Sequence, residues 1–234
     1  MIPIITIDGP SGTGKGTIAD LLAQRLGWHC LDSGALYRAL ALAAQRRGID
    51  PGAAEALATV ASTMLVEFRD RRVFLDGEDV SEAIRTEALG NAASRVAVHS
   101  AVRERLLAWQ REAANPLGLV ADGRDMGTVV FPSAPLKIFL TASARERAER
   151  RYKQLIPKGL DVSLSQLVGE IHKRDERDGS RSAAPLKPPP EALVVDTTAM
   201  TISEVLVQIL EAVKRAFPDA TEFASSMPFF ADHC

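Results

Sequence analysis

The 234-residue chain contains only two cysteines, Cys30 and Cys234. Two thiols so far apart make no disulfide framework, and the expected compartment is the reducing cytoplasm. Cys30 sits in an apolar run and reads as core, and Cys234 as an exposed terminal thiol. Histidine is scarce as well: His29, His99, His172 and His233 are scattered, with no spacing that suits a zinc site. The formal net charge is only −2, so no bulk field draws the chain to nucleic acid or to an anionic membrane. No apolar run reaches the length of a membrane span. The start, Met1-Ile2-Pro3-Ile4, lacks the basic residues that open a secretory signal. Internal repeats are absent. What remains is ordinary globular composition, 46% hydrophobic and 25% charged, in a length that suits one α/β domain with insertions.

Five short apolar runs stand out: Ile4–Asp8, His29–Asp32, Leu119–Asp122, Lys137–Leu140 and Leu193–Asp196. All but the second are apolar nearly throughout, as strands covered on both faces of a parallel sheet are. All but the fourth end in Asp, at the edge where open α/β sheets bind ligands. Helical spacing follows in Lys15–Leu26, and Ala35–Arg47 and Ala92–Ala114 are Ala- and Leu-rich, which favours helix. Ser163-Leu164-Ser165-Gln166 and Thr201-Ile202-Ser203-Glu204 read as capping boxes opening two more helices, the second over Val205–Phe217. Leu65–Val80 breaks the alternation. It reads as a small antiparallel insert, with turns at Asp70-Arg71-Arg72 and Asp76-Gly77. Ala183–Pro190 carries four prolines and reads as a strap. The segment 218–234 has no periodicity and reads as a poorly ordered tail.

The first strand runs into Gly9-Pro10-Ser11-Gly12-Thr13-Gly14-Lys15-Gly16-Thr17. Glycines let backbone N–H groups turn inward around a phosphate, the next helix aims its positive end at the same point, and Lys15 adds a mobile charge for the β- and γ-phosphates. This phosphate loop points to a nucleoside triphosphate, taken as ATP with Mg²⁺. The usual hydroxyl after the lysine is replaced by Gly16. Thr17 is then the candidate hydroxyl near the metal, in the Lys-Gly-Thr form that nucleoside monophosphate kinases use. Asp122, ending a strand beside the loop, could orient the metal's water shell, or could instead pair with a neighbouring arginine.

The loop leaves the reaction open. Asparagine occurs only as Asn91 and Asn115, and neither begins the Asn-Lys-x-Asp motif with which GTPase switches read guanine. An ATP-dependent switch or binding module remains open, but a second phosphorylated substrate needs charges beyond the loop. Arg38 and Arg124 lie just past strand ends. Arg174, Arg177 and Arg181 cluster downstream. Arg145, Arg147, Arg150 and Arg151 follow the fourth strand, where Glu146 and Glu149 could equally make ordinary helix pairs.

Five separated stretches resemble bacterial cytidylate kinases: Ile7-Asp8-Gly9-Pro10-Ser11-Gly12, Leu31-Asp32-Ser33-Gly34-Ala35-Leu36-Tyr37-Arg38, Asn91-Ala92-Ala93-Ser94, Asp122 to Pro132, and Arg174-Asp175-Glu176-Arg177-Asp178. The likeness runs from about Ile4 to Phe217 and says nothing of the tail. It implies the P-loop nucleoside monophosphate kinase fold: a five-stranded parallel sheet flanked by helices, an antiparallel acceptor-binding insert over about 35–105, and a short lid over about 148–182. It implies transfer of the ATP γ-phosphoryl group to CMP or dCMP by a monomer. By the same resemblance Ser94, Arg103 and Asp125 contact the cytosine, Arg174 and Asp178 hold the ribose, and Arg38, Arg124 and Arg181 grip the acceptor phosphate. Ser33 and Tyr37 shape the pocket. Lys15, Arg124, Arg181 and a lid arginine, Arg151 or Arg150, are the candidates for steadying the transferred group. A kinase acting on another small acceptor, such as UMP or AMP, is the alternative enzyme.

Overall fold

The computed structural model describes residues 2–69, 72–158 and 162–219. Five parallel strands form the central sheet: β1 (Ile4–Asp8), β2 (His29–Asp32), β6 (Leu119–Gly123), β7 (Leu136–Thr141) and β8 (Leu193–Asp196), in the order β2-β6-β1-β7-β8. The near-continuous apolar runs are explained by this placement. β1 and β6 lie inside the sheet, and Ile5, Ile7, Val120 and Ala121 are fully buried. Register sets the strand ends side by side, Asp32 against Asp122 and Asp8 against Gly123. Three carboxylates therefore meet at the carboxyl edge of the sheet, where α/β folds place ligands.

One face is covered by α1 (Lys15–Leu26) and α8 (Ile202–Ala216), which bury Ile18, Leu22, Val205, Ile209 and Val213 on the sheet. At α8 the capping box reads as expected: Thr201 accepts from the Glu204 amide, and Glu204 accepts from the Thr201 amide. At Ser163 it does not. Its hydroxyl pairs with that of Ser165 at 2.7 Å and leaves α7 (Leu164–Gly179) without a side-chain cap.

The other face carries the insert. Helix α2 (Ser33–Arg46) begins two residues before the expected start because Asp32 caps it, accepting from the Ala35 amide at 2.8 Å. Beyond it come α3 (Ala54–Thr63) and an antiparallel sheet of β3 (Val66–Arg69), β4 (Arg72–Leu75) and β5 (Glu78–Asp79). Their shared core includes Leu36, Leu40, Leu57, Leu75 and Ile84. The single helix expected over Ala92–Ala114 is two: α4 (Glu87–Val96), capped by Thr86, and α5 (Ser100–Glu112). No glycine or proline marks the break. It arises because α4 packs on α2 and α5 on α3, with the His99 ring anchored to the Pro51 carbonyl at 2.7 Å.

After β7, α6 (Ala144–Leu155) and α7 fold into a small separate core of Ala148, Leu155 and Leu167. The Pro-rich strap leads from α7 back to β8. Cys30 is half-buried rather than core, and burial with Asp20 nearby pushes its thiol well above the usual range. The expected turn at Asp70-Arg71, and the expected tail beyond Asp219 including His233 and Cys234, lie outside the described residues. Among the described residues no helix is long and apolar enough to cross a membrane.

Candidate active site

The phosphate loop occupies the turn from β1 into α1. Gly9, Gly12 and Gly14 take φ of 144°, 81° and 90°, which residues carrying a Cβ resist. A Cβ on Gly9 would sit 2.1 Å from the Leu140 carbonyl oxygen, a backbone atom that cannot move aside. Gly9→Ala is therefore expected to cost about 2–4 kcal/mol and to abolish ATP binding. Urea unfolding and nucleotide titration check this, and a variant with ordinary stability contradicts the loop's tight seat. The Lys15 ammonium donates to the Pro10 carbonyl at 2.8 Å, and the Thr13 hydroxyl donates to the same oxygen at 3.1 Å. Lys15 is only 5% exposed. Burial, with Arg124 nearby, pushes its pKa well below the usual lysine value. Gly16 and Thr17 face solvent.

Asp122 lies beneath the start of α1, with Oδ2 3.4 Å from where a Gly16 Cβ would be. It makes no ion pair among the described residues, and its Oδ1 is buried without a hydrogen-bond partner. Burial raises its pKa against the pull of Lys15. No cluster of three His, Cys, Asp or Glu side chains suited to a metal occurs among the described residues.

A cleft of about 410 Å³, open to solvent, lies between this edge of the sheet, the insert and α7. Ser33, Tyr37, Ser94 and Arg103 reach it from the insert helices, Arg124 and Asp125 from the turn after β6, and Arg174, Asp178 and Arg181 from α7 and its exit. Of the acceptor-site candidates only Arg38 stays outside it, beside Asp32 at 3.4 Å.

Two buried ionic groups organise the walls. Asp178 accepts from Ser94 Oγ at 2.8 Å, from Arg124 Nε at 3.3 Å, and from Arg181. Burial drives its pKa up, but Arg124, Arg181 and Arg174 outweigh burial and hold it below the usual carboxylate value. Asp125 pairs with Arg103, whose guanidinium also lies 5.9 Å from the Tyr37 ring centroid. Here burial wins over Arg103 and Asp125 is raised. Tyr37 serves two ends: its ring belongs to the insert core, and its hydroxyl is buried without a hydrogen-bond partner among the described residues. Burial and Arg124 lower the Arg174 pKa to about 10, and its Nε has no hydrogen-bond partner among the described residues.

The arginines of α6 separate by geometry. Arg151 pairs with Glu87 and donates to the Arg85 carbonyl, both in the insert. With Ser11 and Arg174 it lines a second cleft, open to solvent. Arg150 is tied to Glu146 and Thr197. Arg177 lies outside both cavities, and Arg145 is exposed and paired with Glu149.

Three further buried groups, given no site role by the sequence, hold the walls in place. Arg147, 4% exposed, clamps Asp175 with both terminal nitrogens and donates to the Ser11 carbonyl, joining the phosphate loop to α6 and α7. Asp8 accepts from the Met126 and Gly127 amides at 2.8 Å each, at the opening of a π-helical turn over Met126–Val130. It thus ties the phosphate loop to the turn bearing Arg124 and Asp125. Burial raises its pKa to about 7 despite those two bonds. Gln110 accepts from the Ser33 hydroxyl. Asp8 had a signal, being a strand-terminal acid; Arg147 and Gln110 had none that set them apart from their neighbours.

The chain is similar throughout to proteins of one family. A sequence model described as Cytidylate kinase matches residues 5–215. A protein named cytidylate kinase from Aeromonas hydrophila is 56% identical over 225 residues, which are 94% of this chain and 98% of the relative. One of the same name from Cupriavidus necator is 52% identical, over 94% and 99% of the two chains. Among solved structures, an uncharacterized protein from Eubacterium ventriosum superposes with a TM-score of 0.52 at 13% identity, over 92% of this chain and 99% of that one. That likeness speaks for the fold alone.

Proposed function

The chain belongs to the cytidylate kinase family, and from that premise we propose how its residues perform the reaction. It is an enzyme, a nucleoside monophosphate kinase that uses ATP to phosphorylate CMP and dCMP. A phosphate monoester loses its second proton near pH 6, so at neutral pH the acceptor oxygen is already a nucleophile and no protein base is needed. The protein has to align that oxygen with the γ-phosphorus and offset the repulsion of two anions.

In this reading the amides of Gly9 to Thr17 and Lys15 hold the donor phosphates. Arg124 and Arg181, placed in one cluster by Asp178, grip the acceptor phosphate, with Arg38 at the rim. Arg174 and Asp178 take the ribose. Ser94, Arg103 and Asp125 take the cytosine, and Ser33 and Tyr37 close the pocket. The arrangement of Asp178 against Arg124 and Arg181 beside the Arg103–Asp125 pair carries the proposal, because it sets two anion grips and a base reader around one space. Asp122, through water, and Thr17 would hold a magnesium ion, and the unpartnered Oδ1 of Asp122 fits that role. When bound, the ion would offset charge on the phosphate oxygens.

Residues 35–105 act as the acceptor-binding insert and 148–182 as the lid. Arg151, already bound to the insert through Glu87, is the lid arginine best placed to sense closure. A lid closing over both substrates would keep water from the γ-phosphate. We take the enzyme to work in the cytoplasm as a monomer.

Cytosine offers an amino donor where uracil offers a carbonyl, and Asp125 can only accept while ionised. A mismatched buried polar pair costs about 1–3 kcal/mol. Asp125→Ala is therefore expected to lower the CMP-over-UMP ratio of kcat/KM about 10-fold and to leave the ATP KM within about 2-fold. Equal losses for every acceptor would overturn the assignment.

A further inference from the structure

We propose that Gln110 is a positioning residue that fixes the direction of the Ser33 hydroxyl and thereby makes the cleft select an amino group over a carbonyl on the base. The inference rests on the reading that this cleft takes the cytosine.

Gln110 lies on α5 and is 2% exposed. Among the described residues it makes two side-chain hydrogen bonds: its Nε2 donates to the Leu106 carbonyl at 3.1 Å, and its Oε1 accepts from Ser33 Oγ at 2.9 Å. The order of donors follows from chemistry. The Leu106 carbonyl can only accept, so the amide nitrogen of Gln110 must face it. The amide oxygen then faces Ser33, and the one proton of the Ser33 hydroxyl must point at it.

Ser33 is the first residue of α2, is 4% exposed, and lines the cleft. With its proton turned inward it can offer the cleft only lone pairs. A serine without such a partner is ambivalent, because its hydroxyl rotates to donate to a carbonyl or to accept from an amine. Gln110 removes that choice. Asp125 lines the same cleft with Oδ2 bound by Arg103 and no hydrogen bond at Oδ1 among the described residues. Ser33 and Asp125 are therefore two acceptors facing one space. The cytosine 4-amino group has two N–H donors to match them, whereas uracil would set its carbonyl oxygen against both. Direct contact with Asp125 supplies part of the discrimination, and the buried bond from α5 supplies the rest at second hand.

The test is Gln110→Met, which keeps the volume and removes the acceptor, with Gln110→Glu beside it. Either protonation state of the Glu carboxyl still accepts from Ser33. Steady-state kcat/KM is read for CMP, dCMP and UMP, with the ATP KM and the melting temperature of each variant. Freed to rotate, Ser33 tolerates a carbonyl: the CMP-over-UMP ratio falls about 10-fold in Gln110→Met, mainly through a gain for UMP, and stays within about 2-fold of the parent in Gln110→Glu. In a Ser33→Ala background, Gln110→Met changes the ratio no further. An unchanged ratio in a folded Gln110→Met overturns the proposal, as do equal losses for CMP and UMP, which would mark Gln110 as packing only. A shift confined to CMP over dCMP also overturns it, by placing Ser33 at the sugar. If Gln110→Met does not fold, Ser33→Ala and Gln110→Glu decide: the ratio must fall in the first and hold in the second. Asp125→Ala separates the two levels of failure. If it erodes the CMP preference while the Gln110 variants do not, the relay is wrong and the cleft assignment stands; if neither does, the cytosine lies elsewhere.

Discussion

Lys15→Met will lower kcat/KM with ATP and CMP by at least about 100-fold and will leave the protein as stable as before, or more so. The two halves have one cause. Lys15 is buried, burial and Arg124 both act against its charge, and its pKa is pushed down accordingly. A charged lysine is thus disfavoured in the folded protein, and in the proposed reaction its charge acts on phosphate oxygens. Met keeps the apolar stem in place and removes that cost. Single-turnover kinetics and thermal unfolding at pH 7 read the two effects. A variant that loses activity and also melts far earlier would mean that Lys15 is structural, with its bond to the Pro10 carbonyl holding the loop together.

Asp178→Ala carries the second large effect. The Asp178 side chain is 2% exposed and that of Arg181 4%, so removing the carboxylate strands buried guanidinium groups. Breaking such a pair costs about 3 kcal/mol. The KM for CMP should rise by at least about 10-fold as Arg124 and Arg181 lose their common anchor. The pH dependence has a definite sign. The folded pKa of Asp178 lies below its ordinary value of 3.8, so its ion pairs contribute stability that is fully present above about pH 4 and is lost as pH falls through the folded value. The stability gap between parent and variant, read by urea unfolding, should be large at pH 7 and shrink towards pH 3. A gap of equal size at both would mean that packing, not charge, holds the cluster.

What the sequence discloses here is what neighbours in the chain decide. Four of the five strands are legible because their runs are apolar nearly throughout, β2 shows only as a short run ending in Asp32, and the phosphate loop is legible because its glycines, lysine and helix are contiguous. The antiparallel insert shows in alternating Val66, Phe68, Val73 and Leu75. The break between α4 and α5 is not legible, because no residue from Val96 to Ser100 stops a helix; the cause is that the two halves face different partners. Ser163 looks like a cap and spends its hydroxyl on Ser165 instead. The same limit applies to the site. The residues that line the cleft stand out as arginines and acids near strand ends, but those that hold them in place do not. Asp8 reaches amides 118 and 119 positions away, Ser33 and Gln110 are 77 apart, and Arg147 touches the phosphate loop across 136. Only the folded sheet edge brings such pairs together, so a single sequence carries no mark of them.

The measurement that bears most directly on the account is ADP release from Mg-ATP with CMP, dCMP, UMP, AMP or GMP added singly to the intact protein. Strong release is expected with CMP and dCMP, weak release with UMP, and release near the no-acceptor level with AMP and GMP. Strong release with UMP or a purine nucleotide would contradict the roles given to Ser94, Arg103 and Asp125.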